Sequence, residues 1–153
     1  MSEESKVIAV NRKAWHDYEI LETLEAGIAL QGSEIKSIRA GRANLRDAYV
    51  QVRDGEAWLL DAHISPYSHG GYSNHEPTRP RKLLLHKDEI ARLAGQVAQR
   101  GYTIVPLRLY LNKRGRAKVE IGLVRGKKEY DKRQAIAKRE ADREIQRSLK
   151  ERW

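Results

Sequence analysis

The sequence predicts a mainly β fold with flanking helices, continued by a basic C-terminal tail. Three observations carry this expectation. Short apolar alternations of period two recur from Tyr18 to Leu123, divided by turn formers such as Asp54-Gly55 and Asn112-Lys113-Arg114-Gly115. Only Ile90 to Ala98 sustains the i, i+3, i+4, i+7, i+8 spacing of an amphipathic helix. The stretch from Gly126 to Trp153 has ten Lys or Arg against six Asp or Glu, and little that could build a core.

Residues 1 to about 13 read as a polar arm with a short apolar run, Val7-Ile8-Ala9-Val10. From Asp17, the residues Tyr18, Ile20 and Leu24 alternate with acidic ones, with an irregularity expected at Leu21. Gly27 breaks the run, and Ile28 and Leu30 start a second strand. A short helix follows, with Ser33 as N-cap, Ile35 and Ile38 on its underside, Lys36 and Arg39 outside, and Gly41 at its end. Tyr49, Val50 and Val52 form a strand, Asp54-Gly55 a hairpin turn, and Trp58 to Ile64 the return strand.

Pro66 to Pro80 is a long loop with three of the four prolines, Tyr67, Tyr72, His69 and His75; loops of this length are usually functional or disordered. The run KLLLHKDEIARLAGQVAQRG is the clearest helix, and Gly101 fits a left-handed cap. In the last hairpin Val105, Leu107, Leu109 and Leu111 share one face, Arg108 and Tyr110 the other, and Pro106 marks an edge or a bulge. About six short strands with one long and one short helix suit an antiparallel barrel of OB type. A small open α+β sheet is the alternative. The expected division is a barrel domain over 1–125 and a tail over 126–153.

The formal net charge of the 153 residues is +9. The tail contributes +4, and residues 1–125, with twenty basic against fifteen acidic groups, contribute +5. Both parts point to a polyanion. There is no cysteine, so disulfides, thiol catalysis and Cys-based zinc sites are excluded. GxSxG, a P-loop and GxGxxG are missing, as is HExxH. His63, His69 and His75 do not have the spacing of a metal site, and neither metal nor cofactor is expected. Asp88-Glu89 opens a helix, where acids suit the macrodipole. A polar N-terminus and the lack of a membrane-length apolar run suggest a cytoplasmic protein with no membrane partner.

The basic residues fall into groups: Arg39 and Arg42; Arg79, Arg81 and Lys82; and Lys113, Arg114, Arg116 and Lys118. Basic side chains contact phosphates, and tyrosines such as Tyr67, Tyr72 and Tyr110 can stack on unpaired bases. Glu25 reads, on pattern alone, as a solvent-facing strand residue. A nuclease built on His69 and His75 and a ribosomal protein of OB type are rival readings.

Three separated runs, LEAGIALQGSEIKSIRAGRANLRDAYV, PTRPRKLLLH and GKKEYDKR, closely resemble the SmpB (SsrA-binding protein) family. The resemblance extends from about Ile8 through the tail. It implies an OB-type barrel, no catalysis, and an adaptor role in trans-translation. The implied partners are the tRNA-like domain of transfer-messenger RNA and the small-subunit RNA of the stalled ribosome, with elongation factor Tu and alanyl-tRNA synthetase reached through the RNA. The family's RNA-contacting positions match Glu25, Leu84, His86 and Lys118, with Arg39, Arg42, Arg81 and Lys82 as basic neighbours. Its tail motif matches Lys127, Lys128, Tyr130, Asp131, Lys132 and Arg133, near the decoding nucleotides, and Lys138 and Arg139 continue that basic tail.

In the tail, Ala137, Ala141, Ile145, Leu149 and Trp153 recur every fourth residue, beside a row of Arg139, Arg143 and Arg147. So thin an apolar row does not offset the entropy of ordering. The expectation is a tail disordered alone and helical, from about Gln134, on ribosomal RNA.

Overall fold

The computed structural model describes residues 4–67 and 74–126. Nine strands and three helices occur in these residues. In chain order they are β1 (Glu4–Val10), α1 (Arg12–Asp17), β2 (Tyr18–Ile28), α2 (Gly32–Arg39), β3 (Ala43–Asn44), β4 (Tyr49–Arg53), β5 (Glu56–Leu60), β6 (His63–Ile64), β7 (Arg81–Leu84), α3 (Lys87–Arg100), β8 (Thr103–Asn112) and β9 (Ala117–Gly126). The main sheet runs β1-β8-β4-β5-β7-β2-β9, and β9 pairs back onto β8. The strands β8, β4, β5, β7, β2 and β9 therefore form a closed antiparallel circuit, and β1 lies along the second half of β8. The expected barrel with flanking helices is present.

Several expected elements take a different form. The polar arm is β1 followed by α1, because Val7 to Val10 find partners only in β8, far along the chain. Asn11 secures the junction. Its N–H donates to the Leu107 carbonyl (2.8 Å), its Nδ2 to the Pro106 carbonyl (2.9 Å), and its Oδ1 accepts from the Ala14 N–H (3.2 Å) as the helix N-cap. Gly27 does not divide β2; the one register shift lies between Ile20 and Glu22, at the irregularity expected for Leu21. The N-cap of α2 is Gln31 and not Ser33. Lys82 to Leu84 lie in the strand β7 and not in a helical turn: β7 pairs with both β5 and β2, and α3 begins only after His86. The three-residue apolar run Leu83-Leu84-Leu85 carries no period that separates the two states.

Other expectations match the structure directly. Asp54 and Gly55 both have positive φ, as the two-residue hairpin turn requires. Gly101 caps α3 in the left-handed region. A register shift follows Pro106. The return strand is shorter than expected: β5 stops at Leu60, Asp61 takes a positive φ, and His63–Ile64 pair with β3 in a separate two-stranded sheet. Gly126 closes β9, pairing with Tyr18, and is not the first tail residue. Residues 127–153, His69 and Tyr72 lie outside the described residues.

Ala26, Ile38, Leu59, Leu83, Leu93, Leu109, Val119 and Ile121 fill the barrel. A second small cluster, Ala14, Val105, Leu107 and Val124, lies under α1. There Gly122 has no room to spare: a Cβ would stand 2.8 Å from Leu107 Cδ1.

The polar centre of the fold is Glu34, which is fully buried in the first turn of α2. Its Oε1 accepts from the Gln31 N–H (2.7 Å) and Arg79 Nη2 (2.5 Å), and its Oε2 from Arg81 Nε (2.5 Å). Arg81, also fully buried, donates from Nη1 to the Ala62 carbonyl (2.8 Å) and from Nη2 to the Pro77 carbonyl (3.0 Å). Burial alone would raise the Glu34 carboxyl; the bonds from Arg79, the Gln31 N–H and Arg81 outweigh it and hold the group below its ordinary range. Burial likewise pulls the Arg81 guanidinium down, opposed by Glu34.

Two outcomes follow. Glu34→Gln strands the buried Arg81 and unpairs the part-buried Arg79, and should lower unfolding stability by about 3 kcal/mol in urea titrations. Because the folded carboxyl titrates below its ordinary 4.5, its contribution is complete above that pH and fades as pH falls through the folded value. The gap between wild type and variant should therefore close in acid, and a constant gap would refute this role. Gly122→Ala should cost about 1–3 kcal/mol by overpacking Leu107, read as a lower midpoint of thermal unfolding.

Candidate nucleic-acid interface

The outer faces of β2, β7 and β9, the start of α3 and the β4–β5 turn enclose an open groove of about 980 Å³. Pleating decides which side chains enter it. In β2, Glu25 and Gly27 point the same way, two residues apart. Gly27 stands opposite Leu84 of β7 on one side and Lys118 of β9 on the other. Lys82 shares the face of Leu84, and His86 follows at the mouth of α3, where its N–H donates to Glu89 Oε1 (3.0 Å). Five of the eight residues expected to touch RNA on the barrel, Glu25, Lys82, Leu84, His86 and Lys118, thus line one groove.

Each is set differently. Leu84 is 55% exposed, the most exposed large apolar side chain among the described residues. It is seated on Gly27, where an added Cβ would lie 3.2 Å from Leu84 Cβ. Sequence reasoning read Gly27 as a strand break; a glycine within a strand is equally the sign of a close approach. Glu25 receives the hydroxyl hydrogen bond of Tyr110 on Oε2, and Lys118 Nζ lies 4.0 Å from Oε1. Tyr110 is buried, so it orients Glu25 and offers no open ring for stacking. The Arg108 guanidinium lies over that ring (5.8 Å) and donates to Glu120 (2.6 Å). Lys82 meets Glu56 at 3.4 Å, both half exposed, a pair that contributes little to stability.

The other three expected residues are elsewhere. Arg81 cannot reach a ligand: all of its surface is taken by Glu34 and backbone carbonyls. Its expected RNA contact is corrected to a structural role. Arg39 and Arg42 are exposed at and beyond the end of α2 and do not line the groove. The tail positions Lys127, Lys128, Tyr130, Asp131, Lys132, Arg133, Lys138 and Arg139 lie outside the described residues.

The histidines provide no open catalytic pair among the described residues. His75 is buried; its Nε2 faces the Ile64 carbonyl (2.8 Å) and must carry the hydrogen, while Nδ1 meets Ser33 Oγ (2.8 Å). It fastens the loop to α2, together with Asn74, which brackets the backbone of Tyr67 (2.9 and 2.7 Å). No group of three potential metal ligands gathers among the described residues, and no helix there is long and apolar enough to cross a membrane.

Comparison with known proteins bears on the same chain length. The SmpB protein family matches residues 8–151. An SsrA-binding protein of Roseiflexus sp. (strain RS-1) is 71% identical over 148 residues, covering 96% of this chain and 93% of that protein. That of Symbiobacterium thermophilum is 59% identical over 150 residues, covering 98% and 95%. A chain from the solved structure described as "tmRNA-SmpB: a journey to the center of the bacterial ribosome" superposes with a TM-score of 0.66 at 52% identity, over 82% of this chain and 85% of that one. The groove and the closed barrel thus lie on a chain whose full-length relatives are SsrA-binding proteins, and by that measure it belongs to the SmpB family.

Proposed function

We propose that this protein is the RNA-binding adaptor of trans-translation: it binds transfer-messenger RNA and brings it to stalled ribosomes. The observation that carries the site is the convergence of Glu25, Lys82, Leu84, His86 and Lys118 on one groove. The tRNA-like domain lies there, in the position of a folded RNA elbow. Lys82 and Lys118 neutralise phosphates, and Glu25 accepts hydrogen bonds from base or sugar donors. Leu84, exposed and rigidly seated, packs against a base or ribose face. No bond is made or broken in this role; elongation factor Tu and alanyl-tRNA synthetase meet the adaptor through the RNA, in the cytoplasm.

The tail completes the adaptor. Gly126, the last described residue, is still paired with Tyr18 in β9, and the tail follows it in the sequence. On ribosomal RNA the tail is helical from about Gln134 and probes the empty message channel, with Tyr130, Lys132 and Arg133 at its entrance, near the decoding nucleotides.

Two experiments separate these surfaces. Lys118→Glu and Glu25→Lys should each weaken binding of the tRNA-like RNA by roughly tenfold or more in gel-shift titrations, and unchanged affinity would remove the groove from the interface. A chain ending at Gly126 should keep that affinity within about twofold, since the barrel contacts remain, yet lose tagging of stalled nascent chains in a reconstituted translation system. Retained tagging would show that the tail is dispensable.

A further inference from the structure

Once the strands are in register, charge is unevenly paired. Around the sheet faces cations meet carboxylates: Arg108 with Glu120, Arg92 with Glu22, Lys82 with Glu56, Lys118 with Glu25, Arg125 with Glu19. One end of the barrel differs. The β8–β9 turn presents Lys113, Arg114 and Arg116 around Gly115. Arg39, in the last turn of α2, reaches the same turn, with Nη2 donating to the Gly115 carbonyl (3.5 Å). Lys6 of β1 closes the group, with Nζ donating to the Arg39 carbonyl (3.5 Å). All five side chains are exposed, and none forms an ion pair among the described residues.

The platform under them is firm. Asn112 Oδ1 accepts from the N–H groups of both Arg114 and Arg116 (3.0 Å each), the Gly115 N–H donates to the Asn112 carbonyl (2.9 Å), and Gly115 takes the positive φ that the bend requires. Five like charges on a fixed surface repel one another, and a polyanion relieves that repulsion. The cluster also continues the groove. The Asn112 N–H donates to the Arg116 carbonyl, so the ladder runs through Arg116, and strand alternation sets Arg116 on the face of Lys118.

We propose that this cluster is a second, phosphate-only part of the interface with the same RNA. The backbone of the RNA held in the groove passes Lys118, crosses the β8–β9 turn and ends against the last turn of α2. The five side chains contain neither carboxylate nor aromatic ring, so they contact phosphates and read no bases. This extension rests on the groove binding the tRNA-like RNA, as proposed above.

The test is the salt dependence of binding to isolated tRNA-like RNA, using the full chain. Arg114→Gln/Arg116→Gln should bind roughly three- to tenfold more weakly near physiological salt and flatten the log–log salt slope by about two, at about 0.9 per lost phosphate contact. The loss should be the same for RNAs with altered loop bases, and thermal unfolding should be unchanged because these side chains are exposed. Arg39→Gln should repeat the effect at about half the size. Unchanged affinity and slope would overturn the proposal, as would a loss confined to small ribosomal subunits. If Lys118→Glu weakens binding and the turn variants do not, only this extension fails; if wild type itself ignores the tRNA-like RNA, the groove reading fails first.

Discussion

Donors from distant parts of the chain converge on the carboxylate of Glu34, and the groove depends on that convergence. A carboxylate without exposed surface loses several kcal/mol of hydration, so it is tolerated only when charge and hydrogen bonds surround it. Gln31 fixes where α2 begins, Arg79 where the long loop returns, and Arg81 where β7 enters the sheet. Arg81 passes the constraint on to Ala62, past the end of β5, and to Pro77 in the loop. Residues 62 and 77 are far apart in sequence, yet one guanidinium fork sets their separation. Two residues beyond Arg81 the pleat buries Leu83 in the barrel, and the next turns Leu84 outward onto Gly27. The position of the groove's apolar contact is thus inherited from an ion pair that never meets solvent.

The barrel keeps packing and recognition on opposite faces of the same strands. In β9, Val119, Ile121 and Leu123 point inward, while Lys118 and Glu120 point out. The outer face is not uniformly polar. Where β8 and β9 run under α1, Gly122 admits Leu107 and a second small core forms; away from α1 the same face is open. Asn11 governs that division, since it ties the start of α1 to the backbone at Pro106 and Leu107. Covered and open regions of one sheet face are therefore set by where a single short helix is anchored.

How much of this was legible depends on whether the signal is local. The Asp54-Gly55 turn, the irregularity at Leu21, the cap at Gly101 and the amphipathic face of α3 are written within a few residues, and the structure has them. β1 and β7 were missed because their pairing partners lie far along the chain and their apolar runs are too short to show a period. Arg81 was misjudged because a buried arginine and a surface one have the same sequence; only the distance to Glu34 separates them. The site was legible through another route. Pattern alone made Glu25 an ordinary strand residue, and family resemblance selected it together with Leu84, His86 and Lys118. The structure supplies what neither could: these residues share one face, with Tyr110 beneath Glu25.

Glu25 places a carboxylate in the groove proposed to hold RNA. Affinity for a polyanion comes from cations, and an isolated Glu25 would oppose it. Lys118, at 4.0 Å, is near enough to cancel most of that repulsion and too far to occupy the acceptor sites of Oε1. Tyr110 holds the other oxygen and fixes the direction of the group. The pair is partly exposed and so contributes little to folding, which leaves Lys118 free to turn towards a phosphate at small cost. On the proposed reading this arrangement converts charge into register. Phosphates can settle beside Lys82 and Lys118 but not on Glu25, while a base or ribose donor can settle on Glu25 but not on the lysines. An RNA elbow meeting both demands is held in one orientation, and orientation is what an adaptor standing in for part of a tRNA has to supply.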